Sequence, residues 1–313
     1  MENKISIICT VFNDQDEIKR LLEDINMQTL LPNEIIIADG GSKDDTVKII
    51  KNYKDNNIIN INLISGERLN ISQGLNVAIK NSKNEVIVIM STGNRYDKNF
   101  IKELFEKFTE TNADIVFAPI RGNNDSKFSK LYNRSFLNNE YGSRIPSNHG
   151  VLIKKEVFEK IGLFYEKFIY AGEDAEFFER ARINELHIEC AENAKIKWDV
   201  PNNLKTFKKQ INNYTIAKIQ IESFSIFKKY RNNYIIILML IITILSILYS
   251  KYYVGTILAI MYAFLLIYKY LKNEIDMYML REYRRWLEIK IILSNLNKFK
   301  NKYKVNKEII EKL

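Results

Sequence analysis

The first third of the sequence alternates short apolar runs with segments of helical spacing, and this alternation limits the fold more than any other feature. Four runs are rich in β-branched residues: ISIICTVF (5–12), EIIIAD (34–39), NINLISG (60–66) and EVIVIMS (85–91). Continuous apolar runs of this length are typical of strands buried on both faces of a parallel sheet. The segments between them predict helices, so the chain is expected to begin with repeated βαβ units of an α/β domain.

Polar residues and glycines follow these predicted strands, where the ligand site of an open α/β sheet lies. They are Thr10, Asn13 and Asp14 after the first strand, Asp39 to Ser42 after the second, Glu67 and Arg68 after the third, and Ser91 to Asn94 after the fourth. Gly40 and Gly41 let the backbone approach a ligand closely, and Gly93 can adopt backbone angles that other residues resist. The loops contain neither a Walker motif nor a GxGxxG fingerprint, which gives no support to ATP hydrolysis or NAD binding.

The C-terminal third contains the most apolar part of the chain. Between Tyr234 and Tyr268, Lys251 is the only charged residue. Segments 234–250 and 252–268 are uncharged and bordered by tyrosine, and their length is at the short end of the ~17–25 residues of a spanning helix. They predict a two-helix transmembrane hairpin, with a pair of re-entrant or interfacial helices as the alternative because the Ser-Lys turn between them is so short.

The net charge of +9, from 47 basic and 38 acidic residues, raises nucleic-acid binding as a first hypothesis. That class predicts basic and aromatic residues interleaved within the α/β domain, whereas the surplus flanks the apolar segment, with +6 over residues 201–233 and +4 over 273–313. Such a distribution favours membrane lipids over nucleic acid, with both termini and the α/β domain in the cytosol. General lysine enrichment explains part of the surplus.

Cysteine usage and the N-terminus agree with a cytosolic α/β domain. The two cysteines, Cys9 and Cys190, lack metal-ligand spacing and predict neither a disulfide framework nor a zinc site. The first residues, MENKISIICTVFND, resemble a first strand more than a signal peptide. The basic, aromatic-containing tail 273–313 is compatible with a helix on the membrane surface, a solvated helix or an oligomer contact.

Several ordered segments resemble family 2 glycosyltransferases of the GT-A fold. They are ISIICTVFND, EIIIADGGSKDDTV, ERLNISQGLNVAIKNS, the late GEDAEFFERA, and WDVPNNLKTFKKQINNY, which is similar to the pre-membrane segment of membrane-attached members. The resemblance covers roughly residues 4–225. Members with this layout and trailing membrane helices, similar to the succinoglycan-type enzymes, assemble surface polysaccharides from nucleotide sugars. The resemblance implies a Rossmann-like GT-A domain over 1–225, a membrane hairpin over 226–272 and a basic amphipathic cytosolic tail over 273–313.

The resemblance also implies a pocket for a UDP-, GDP- or dTDP-linked sugar. Thr10, Phe12 and Asp39 would contact the base and ribose, with Asp39 accepting a hydrogen bond from the base. The other residues expected at the nucleotide sugar are Asn13, Glu17, Gly41, Ser42, Arg68, Ser91 and Gly93.

The fourth segment departs from the family pattern. The family ends this strand with a carboxylate that binds a divalent cation, but here the strand ends MSTGNRYD and Ser91 occupies the aligned position. Three explanations stay open: Mg²⁺ or Mn²⁺ held by other groups and the diphosphate, a leaving group neutralised by Arg68, Arg95 or a lysine, or donor binding without turnover. His149 is a candidate metal or acceptor contact.

Inverting transfer requires a base for the acceptor hydroxyl. By resemblance Asp174 is that base and Glu173 is its partner, while Arg180, six residues further on, has a structural role or supports the pair without touching the substrate. We therefore expect a membrane-anchored inverting glycosyltransferase that uses a lipid-linked or polysaccharide acceptor. The alternative is a catalytically silent nucleotide-sugar-binding partner that anchors or regulates another transferase.

Overall fold

The chain divides into two units, residues 1–201 and 202–313. A computed structural model describes residues 4–55, 59–137, 145–168, 171–221, 252–271 and 275–299. The domain boundary expected at residue 225 lies inside the second unit, because helix Leu204–Ile221 groups with the C-terminal residues.

The described residues of the first unit form two sheets. Its strands are β1 Ile5–Val11, β2 Glu34–Asp39, β3 Asn60–Ile64, β4 Val86–Met90, β5 Asn94–Tyr96, β6 Ile115–Phe117, β7 Ile120–Gly122, β8 Gly150–Lys154, β9 Ile188–Cys190 and β10 Ile196–Trp198. Seven of them form a sheet in the order β3-β2-β1-β4-β8-β6-β9, and the other three form a small sheet in the order β5-β10-β7.

Helices cover both faces of the larger sheet. They are α1 Gln15–Asn26, α2 Thr46–Asp55, α3 Ile71–Asn81, α4 Phe100–Thr111, α6 Lys155–Ile161 and α7 Glu173–Ile183. Helix α5 Lys127–Phe136 instead contacts β7 of the smaller sheet. One apolar core lies between the sheet and α1, α2 and α4, and a second lies between the sheet and α3, α6 and α7. Apolar residues of β1 and β2 contribute to both cores, which explains their uninterrupted apolar sequence.

The four predicted strands and three predicted helices of the first third are confirmed, with bounds shifted by a few residues. Strands β3, β2, β1 and β4 are parallel. The sheet is not parallel throughout, however, because β8 runs antiparallel to both β4 and β6. Gly150, which begins β8, therefore pairs with Met90, which ends β4. This reversal brings the segment before β8 to the edge where the ligand site is expected.

Asn76 on α3 anchors the segment that precedes α7. This buried side chain donates from Nδ2 to the Phe164 carbonyl at 2.8 Å and to Glu166 Oε1 at 2.9 Å, and its Oδ1 accepts from the Phe164 N–H at 2.9 Å. Because the bonds with Phe164 are buried, removing the amide leaves both backbone groups of Phe164 without these partners.

The second unit contains three described helices: α8 Leu204–Ile221, α9 Tyr252–Leu271 and α10 Ile275–Phe299. α10 packs against α8 and α9. Of the predicted hairpin, segment 234–250 lies outside the described residues, whereas segment 252–268 lies within α9. Across the described ranges, no helix has the combination of length and apolar character needed to cross a bilayer, so the transmembrane hairpin is not confirmed. The predicted tail is helical over Ile275–Phe299, and residues 300–313 lie outside the described residues.

Replacement of Asn76 by alanine should lower the free energy of unfolding by about 2 kcal/mol, because buried polar groups of Phe164 lose their partners. Urea unfolding followed by tryptophan fluorescence measures this change. Asn81→Ala is the matched control, because its exposed amide donates to the Val77 carbonyl of the same helix. Equal stability of the two variants would contradict the anchoring role of Asn76.

Candidate active site

The loops after β1 and β2 are joined by hydrogen bonds that shape one side of the site. The Asn13 N–H donates to Ser42 Oγ at 2.8 Å, and the Lys43 N–H donates to Asn13 Oδ1 at 2.8 Å. Asn13 has a φ of 50°, in the left-handed region that asparagine adopts more readily than most residues. Two predicted pocket residues, Asn13 and Ser42, thus hold the loops together.

The Asp39 carboxylate lies at the end of β2 and is only 2% exposed. It accepts hydrogen bonds from the N–H groups of Gly41 at 3.1 Å and Ser42 at 3.2 Å. Gly41 has a φ of 86°, which a side chain would strain, and a Cβ there would lie 3.3 Å from the Glu67 carbonyl oxygen. The glycine therefore allows the turn that fixes the carboxylate.

An aromatic ring and a guanidinium border the same loops. Phe12 is 48% exposed, and the Arg68 guanidinium carbon lies 5.6 Å from the centre of its ring. Thr10, two residues earlier, faces α3 at Gly74, where a Cβ would lie 2.7 Å from Thr10 Cγ2. An exposed ring beside a positive charge is suited to contact a flat, electron-rich group such as a nucleobase.

Glu17, which was expected at the nucleotide, is engaged in ion pairs. Its carboxylate lies 2.8 Å from Arg95 Nη1 and 3.0 Å from Arg20 Nη1. Arg95 also lies 3.3 Å from Asp199, so two carboxylates offset the charge of this arginine, which was one of the candidates for neutralising a leaving group. The geometry gives Glu17 and Arg95 a role in joining α1, β5 and the residue after β10.

Ser91 occupies the position where a metal-binding carboxylate was expected, and its hydroxyl is directed at the protein. Ser91 Oγ donates to the Asn148 carbonyl at 2.7 Å. The Ser91 N–H donates to the Tyr96 hydroxyl oxygen at 2.8 Å, and that hydroxyl donates to the His149 carbonyl at 2.5 Å. The turn after β4, which includes Gly93 with a φ of 73°, is therefore tied to the segment before β8.

The side chains around this turn do not form an evident divalent-cation site. Asp14 is beside it, since the Thr92 hydroxyl bonds to the Asp14 carboxylate and burial raises the pKa of that carboxyl. Within the described ranges, no three or more histidine, cysteine, aspartate or glutamate residues are grouped so as to hold a metal ion. The donor set thus does not fit a cation held by protein carboxylates alone.

His149 is half-buried and neutral at physiological pH, because burial lowers the pKa of its imidazole to about 4. Its Nδ1 lies 3.0 Å from Asn94 Oδ1, and its ring contacts Trp198 with 4.9 Å between centres. Asn94 Nδ2 donates to the Ser91 carbonyl, so Asn94 Oδ1 is the acceptor and Nδ1 of His149 carries the proton. The other ring nitrogen then keeps its lone pair.

The two adjacent carboxyls expected to include the base begin α7. Glu173 is 7% exposed, and burial together with the charge of Asp174 raises its pKa to about 7. Burial also raises the pKa of Asp174, opposed by hydrogen bonds from its own N–H and those of Ala175 and Asn148. Asn148 additionally donates from Nδ2 to Glu173 Oε1 at 3.3 Å. Ser91 and the carboxyl pair are therefore linked through Asn148.

Arg180 is buried on the same helix and has structural partners. Its guanidinium makes two hydrogen bonds of 2.7 Å to Glu176 and donates to the carbonyls of Ile161 and Leu163. The arginine thus fastens α7 to the turn after α6, consistent with the structural role expected from sequence.

Sequence reasoning missed Asn148 and Tyr96, and it placed Asn94 among the polar residues after the fourth strand without assigning it a partner. A lone asparagine in a loop, 25 residues before Glu173 and 57 after Ser91, forms no motif. The apolar run GVLI directly after SNH was the available signal, because it predicts a strand whose start had to lie at one edge of the sheet.

The mixed sheet, the polar loops at the ends of β1, β2 and β4, and the carboxyl pair on α7 define a GT-A type α/β protein. Residues 6–171 match the family described as Glycosyl transferase family 2. The chain belongs to this family.

Curated relatives are similar over part of their length. The chain is 24% identical over 182 residues to the glycosyltransferase GlyA of Streptococcus pneumoniae, which covers 51% of this chain and 26% of GlyA. It is 24% identical over 185 residues to the O-antigen chain rhamnosyltransferase RfbN of Salmonella typhimurium, covering 58% of this chain and 54% of RfbN. The finer likeness to membrane-anchored succinoglycan-type enzymes is not confirmed.

Solved structures support the fold. The mannosyltransferase PcManGT of Pyrobaculum calidifontis, in complex with GDP-Man and Mn²⁺, has a TM-score of 0.60 at 15% identity, with 94% of this chain and 87% of that chain covered. Residues 1–349 of S. aureus TarS in complex with UDP-GlcNAc have a TM-score of 0.51 at 19% identity, covering 69% of this chain and 66% of that chain. At these identities the likeness shows the fold alone.

Raising the pH from 5 to 8 should destabilise the wild type relative to Glu173→Gln. A carboxyl whose pKa rises from 4.5 to about 7 on folding keeps its proton in the folded state over a range where the unfolded chain releases it. Its contribution to stability is therefore lost as the pH rises through about 7. One pKa unit corresponds to about 1.4 kcal/mol, so between pH 5 and pH 8 the free energy of unfolding of the glutamine variant should increase by about 3 kcal/mol relative to that of the wild type.

Urea unfolding at each pH measures this difference. Glu159→Gln, which changes an exposed carboxyl on α6, is the control and should follow the wild type throughout. A wild-type curve parallel to that of Glu173→Gln would show that burial does not hold a proton on Glu173.

Proposed function

We propose that the protein is an inverting glycosyltransferase that moves a sugar from a nucleotide donor to a lipid-linked or polysaccharide acceptor in surface-polysaccharide synthesis. The observation that carries this proposal is the Glu173–Asp174 pair, which is linked through Asn148 to Ser91 at the end of β4. The loops after β1, β2 and β3 of the same sheet contribute Phe12, Asp39 and Arg68. Family membership and the similarity to RfbN support the same reaction class.

In the proposed reaction, the acceptor hydroxyl attacks the anomeric carbon from the face opposite the leaving group. The new C–O bond forms as the bond to the nucleoside diphosphate breaks, and the hydroxyl proton passes to the Asp174 carboxylate. The diphosphate leaves with the bonding electron pair. A carboxylate suffices as the base, because the hydroxyl becomes acidic in the transition state.

The donor would lie across the loops after β1 and β2. Asp39, held by the N–H groups of Gly41 and Ser42, presents carboxyl oxygens that can accept from a base or ribose. Phe12 offers a face for the base, and Arg68 beside it offers positive charge to the base or diphosphate. UDP-, GDP- and dTDP-sugars all fit this description.

Mg²⁺ or Mn²⁺ is proposed only as a group carried in with the donor diphosphate. PcManGT was solved in complex with GDP-Man and Mn²⁺, whereas the Ser91 hydroxyl of this chain bonds to Asn148. The chemistry that a cation supplies when bound is neutralisation of the leaving diphosphate. His149, with a lone pair on one ring nitrogen, is the neutral side chain best suited to contact such a group.

We also propose that the protein is attached to the cytosolic face of the cell membrane by its C-terminal part. α9 exposes nine large apolar or aromatic side chains: Ile257, Ile260, Met261, Tyr262, Phe264, Leu265, Ile267, Tyr268 and Tyr270. Contiguous exposure of this extent is typical of a surface that contacts lipid or another apolar partner. Attachment there would favour a lipid-linked acceptor.

The alternative function is a catalytically silent nucleotide-sugar-binding partner of another transferase. Its support is the replacement of the metal-binding carboxylate by Ser91. Release of nucleoside diphosphate distinguishes the two functions.

Asp174→Asn should lower transfer by about 100-fold or more, as expected for loss of a general base, while donor affinity stays close to wild type. The assay incubates membranes with a panel of nucleotide sugars, with EDTA or Mn²⁺, and measures nucleoside diphosphate release. Glu179→Gln, an exposed change on the same helix whose carboxylate pairs with the exposed Arg182, is the control. Absence of release by wild type with every donor would leave the silent partner as the function, and an unchanged rate in Asp174→Asn would reject Asp174 as base.

The double variant Ile260→Asp/Phe264→Asp should reduce binding to anionic lipid vesicles at least tenfold, because it places two charges on the exposed apolar surface of α9. Vesicle flotation of the full chain measures the bound fraction. Leu31→Asp/Ile183→Asp alters two exposed apolar residues of the first unit and should bind like wild type. Equal flotation of both double variants would argue against membrane contact through α9.

A further inference from the structure

We infer that Asn70 is a positioning residue that couples the donor loop to helix α7, which carries the Glu173–Asp174 pair. The donor loop is the segment 65–70 between β3 and α3. Asn70 ends this loop, and its side chain both caps α3 and donates a hydrogen bond to the segment that precedes α7. The catalytic consequence rests on the proposed function, whereas the contacts of Asn70 are independent of any donor or acceptor.

The donor loop lies against the glycine turn after β2, which fixes the carboxylate proposed to contact the base. A Cβ on Gly40 would lie 2.8 Å from the Leu69 carbonyl oxygen, and one on Gly41 would lie 3.3 Å from the Glu67 carbonyl oxygen. Side chains at these glycines would crowd the loop, so the two loops are in direct backbone contact. Arg68 lies between the two carbonyls in sequence. A movement of the donor loop would therefore displace the donor contacts that follow both β2 and β3.

Asn70 uses both ends of its side-chain amide. Its Oδ1 accepts from the Gln73 N–H at 2.9 Å, and Gln73 Oε1 accepts from the Asn70 N–H at 3.0 Å, which completes a capping box at the start of α3. Its Nδ2 donates to the Glu166 carbonyl at 2.7 Å. The cap needs only an acceptor, which aspartate and serine supply about equally well. The bond to Glu166 is what the amide adds.

The segment that receives this bond, residues 163–166, is also attached to α7. The Phe164 ring lies 4.5 Å from the Phe177 ring, measured between centres, and Phe177 is fully buried on α7. Arg180 of the same helix donates to the Leu163 carbonyl at 2.9 Å. A displacement of segment 163–166 therefore moves α7 or breaks these contacts. The donor loop and the helix that carries the carboxyl pair are thus connected by a chain of direct contacts.

Asn76 and Asn70 hold segment 163–166 in different ways. Asn76 is 2% exposed and satisfies the buried backbone groups of Phe164, so its loss is expected to lower stability. Asn70 is half-buried, and a bond that water can replace contributes little to the free energy of unfolding. The bond still fixes the distance between the donor loop and α7. Its loss should therefore appear in the rate of transfer rather than in stability.

The test removes the amide donor and keeps the cap. Asn70→Ser and Asn70→Asp both leave an accepting oxygen at the start of α3, but neither provides an amide for the Glu166 carbonyl. We expect a decrease in kcat of about fivefold in both variants, because α7 is aligned less accurately with the donor. The urea midpoint should stay at the wild-type value. The donor KM of the neutral serine variant should stay within about twofold of wild type.

Asn203 is the matched control, because it is an asparagine at the start of α8. Its Oδ1 accepts from the Thr206 N–H at 3.0 Å, and its Nδ2 donates to Asn202 Oδ1 at 2.7 Å. Asn203→Ser and Asn203→Asp therefore make the same chemical change at a helix N-terminus without altering a bond to segment 163–166. Both variants should keep the wild-type kcat and donor KM.

Three kinetic results would overturn the inference. The first is a wild-type kcat in Asn70→Ser, with or without a raised donor KM, because Asn70 would then serve donor binding or the cap alone. The second is an equal loss of kcat in the Asn203 variants. The third is a loss confined to Asn70→Asp, because the effect would then come from the new charge two residues from Arg68.

Failure of the proposed function is a separate outcome. If wild type releases no nucleoside diphosphate from any donor, the transferase proposal fails and hydrogen exchange decides the coupling. Mass spectrometry of the full chain should then show the amides of residues 163–168 and 173–183 exchanging about threefold faster or more in both Asn70 variants than in the wild type and the Asn203 variants. Unchanged exchange over residues 173–183 would overturn the inference.

Discussion

The confinement of β1 determines the rest of the first unit. This strand is hydrogen-bonded along both edges, by β2 and β4, and buried on both faces. A strand in this position has no freedom to shift its register without exposing apolar side chains. Because β2, β1 and β4 run in the same direction, the loops that follow them must begin at one edge of the sheet. The pocket residues therefore meet although they are far apart in sequence.

Sequence patterns were sufficient to predict the elements in the first half of this unit, because the patterns there have a clear period. Uninterrupted β-branched runs and helical spacing predicted β1 to β4 and α1 to α3, and the carboxyl-end rule then predicted the loops of the site. The second half has weaker signals. Strands β5, β6, β7, β9 and β10 have three residues each, too few to show a period. Nothing in the run of β8 reveals that it is antiparallel, and only that direction brings Asn148 and His149 to the site.

The sequence shows which residues carry charge, but it does not show which charged side chains form ion pairs with each other. Glu17 was expected at the nucleotide, and Arg95 was one candidate for neutralising the leaving group, yet the two form an ion pair with each other. Arg68 has a different environment, above the exposed ring of Phe12. Pairing depends on distances between elements that are remote in sequence, so composition alone could not separate the two arginines. The Glu173–Asp174 pair was recognisable because adjacent carboxyls form a local motif.

The hydrogen bond from Ser91 to the Asn148 carbonyl constrains how this site can change by mutation. A substitution of Ser91 by aspartate would place a carboxylate against the Asn148 carbonyl. Neither group can donate a hydrogen bond, so the present contact would be lost. A gain of the usual cation ligand is thus coupled to a rearrangement of residues 147–149, and through them to the carboxyl pair. The effects of such changes are non-additive. The serine therefore belongs to a correlated set of residues, and an evolutionary path to a carboxylate there requires compensating substitutions.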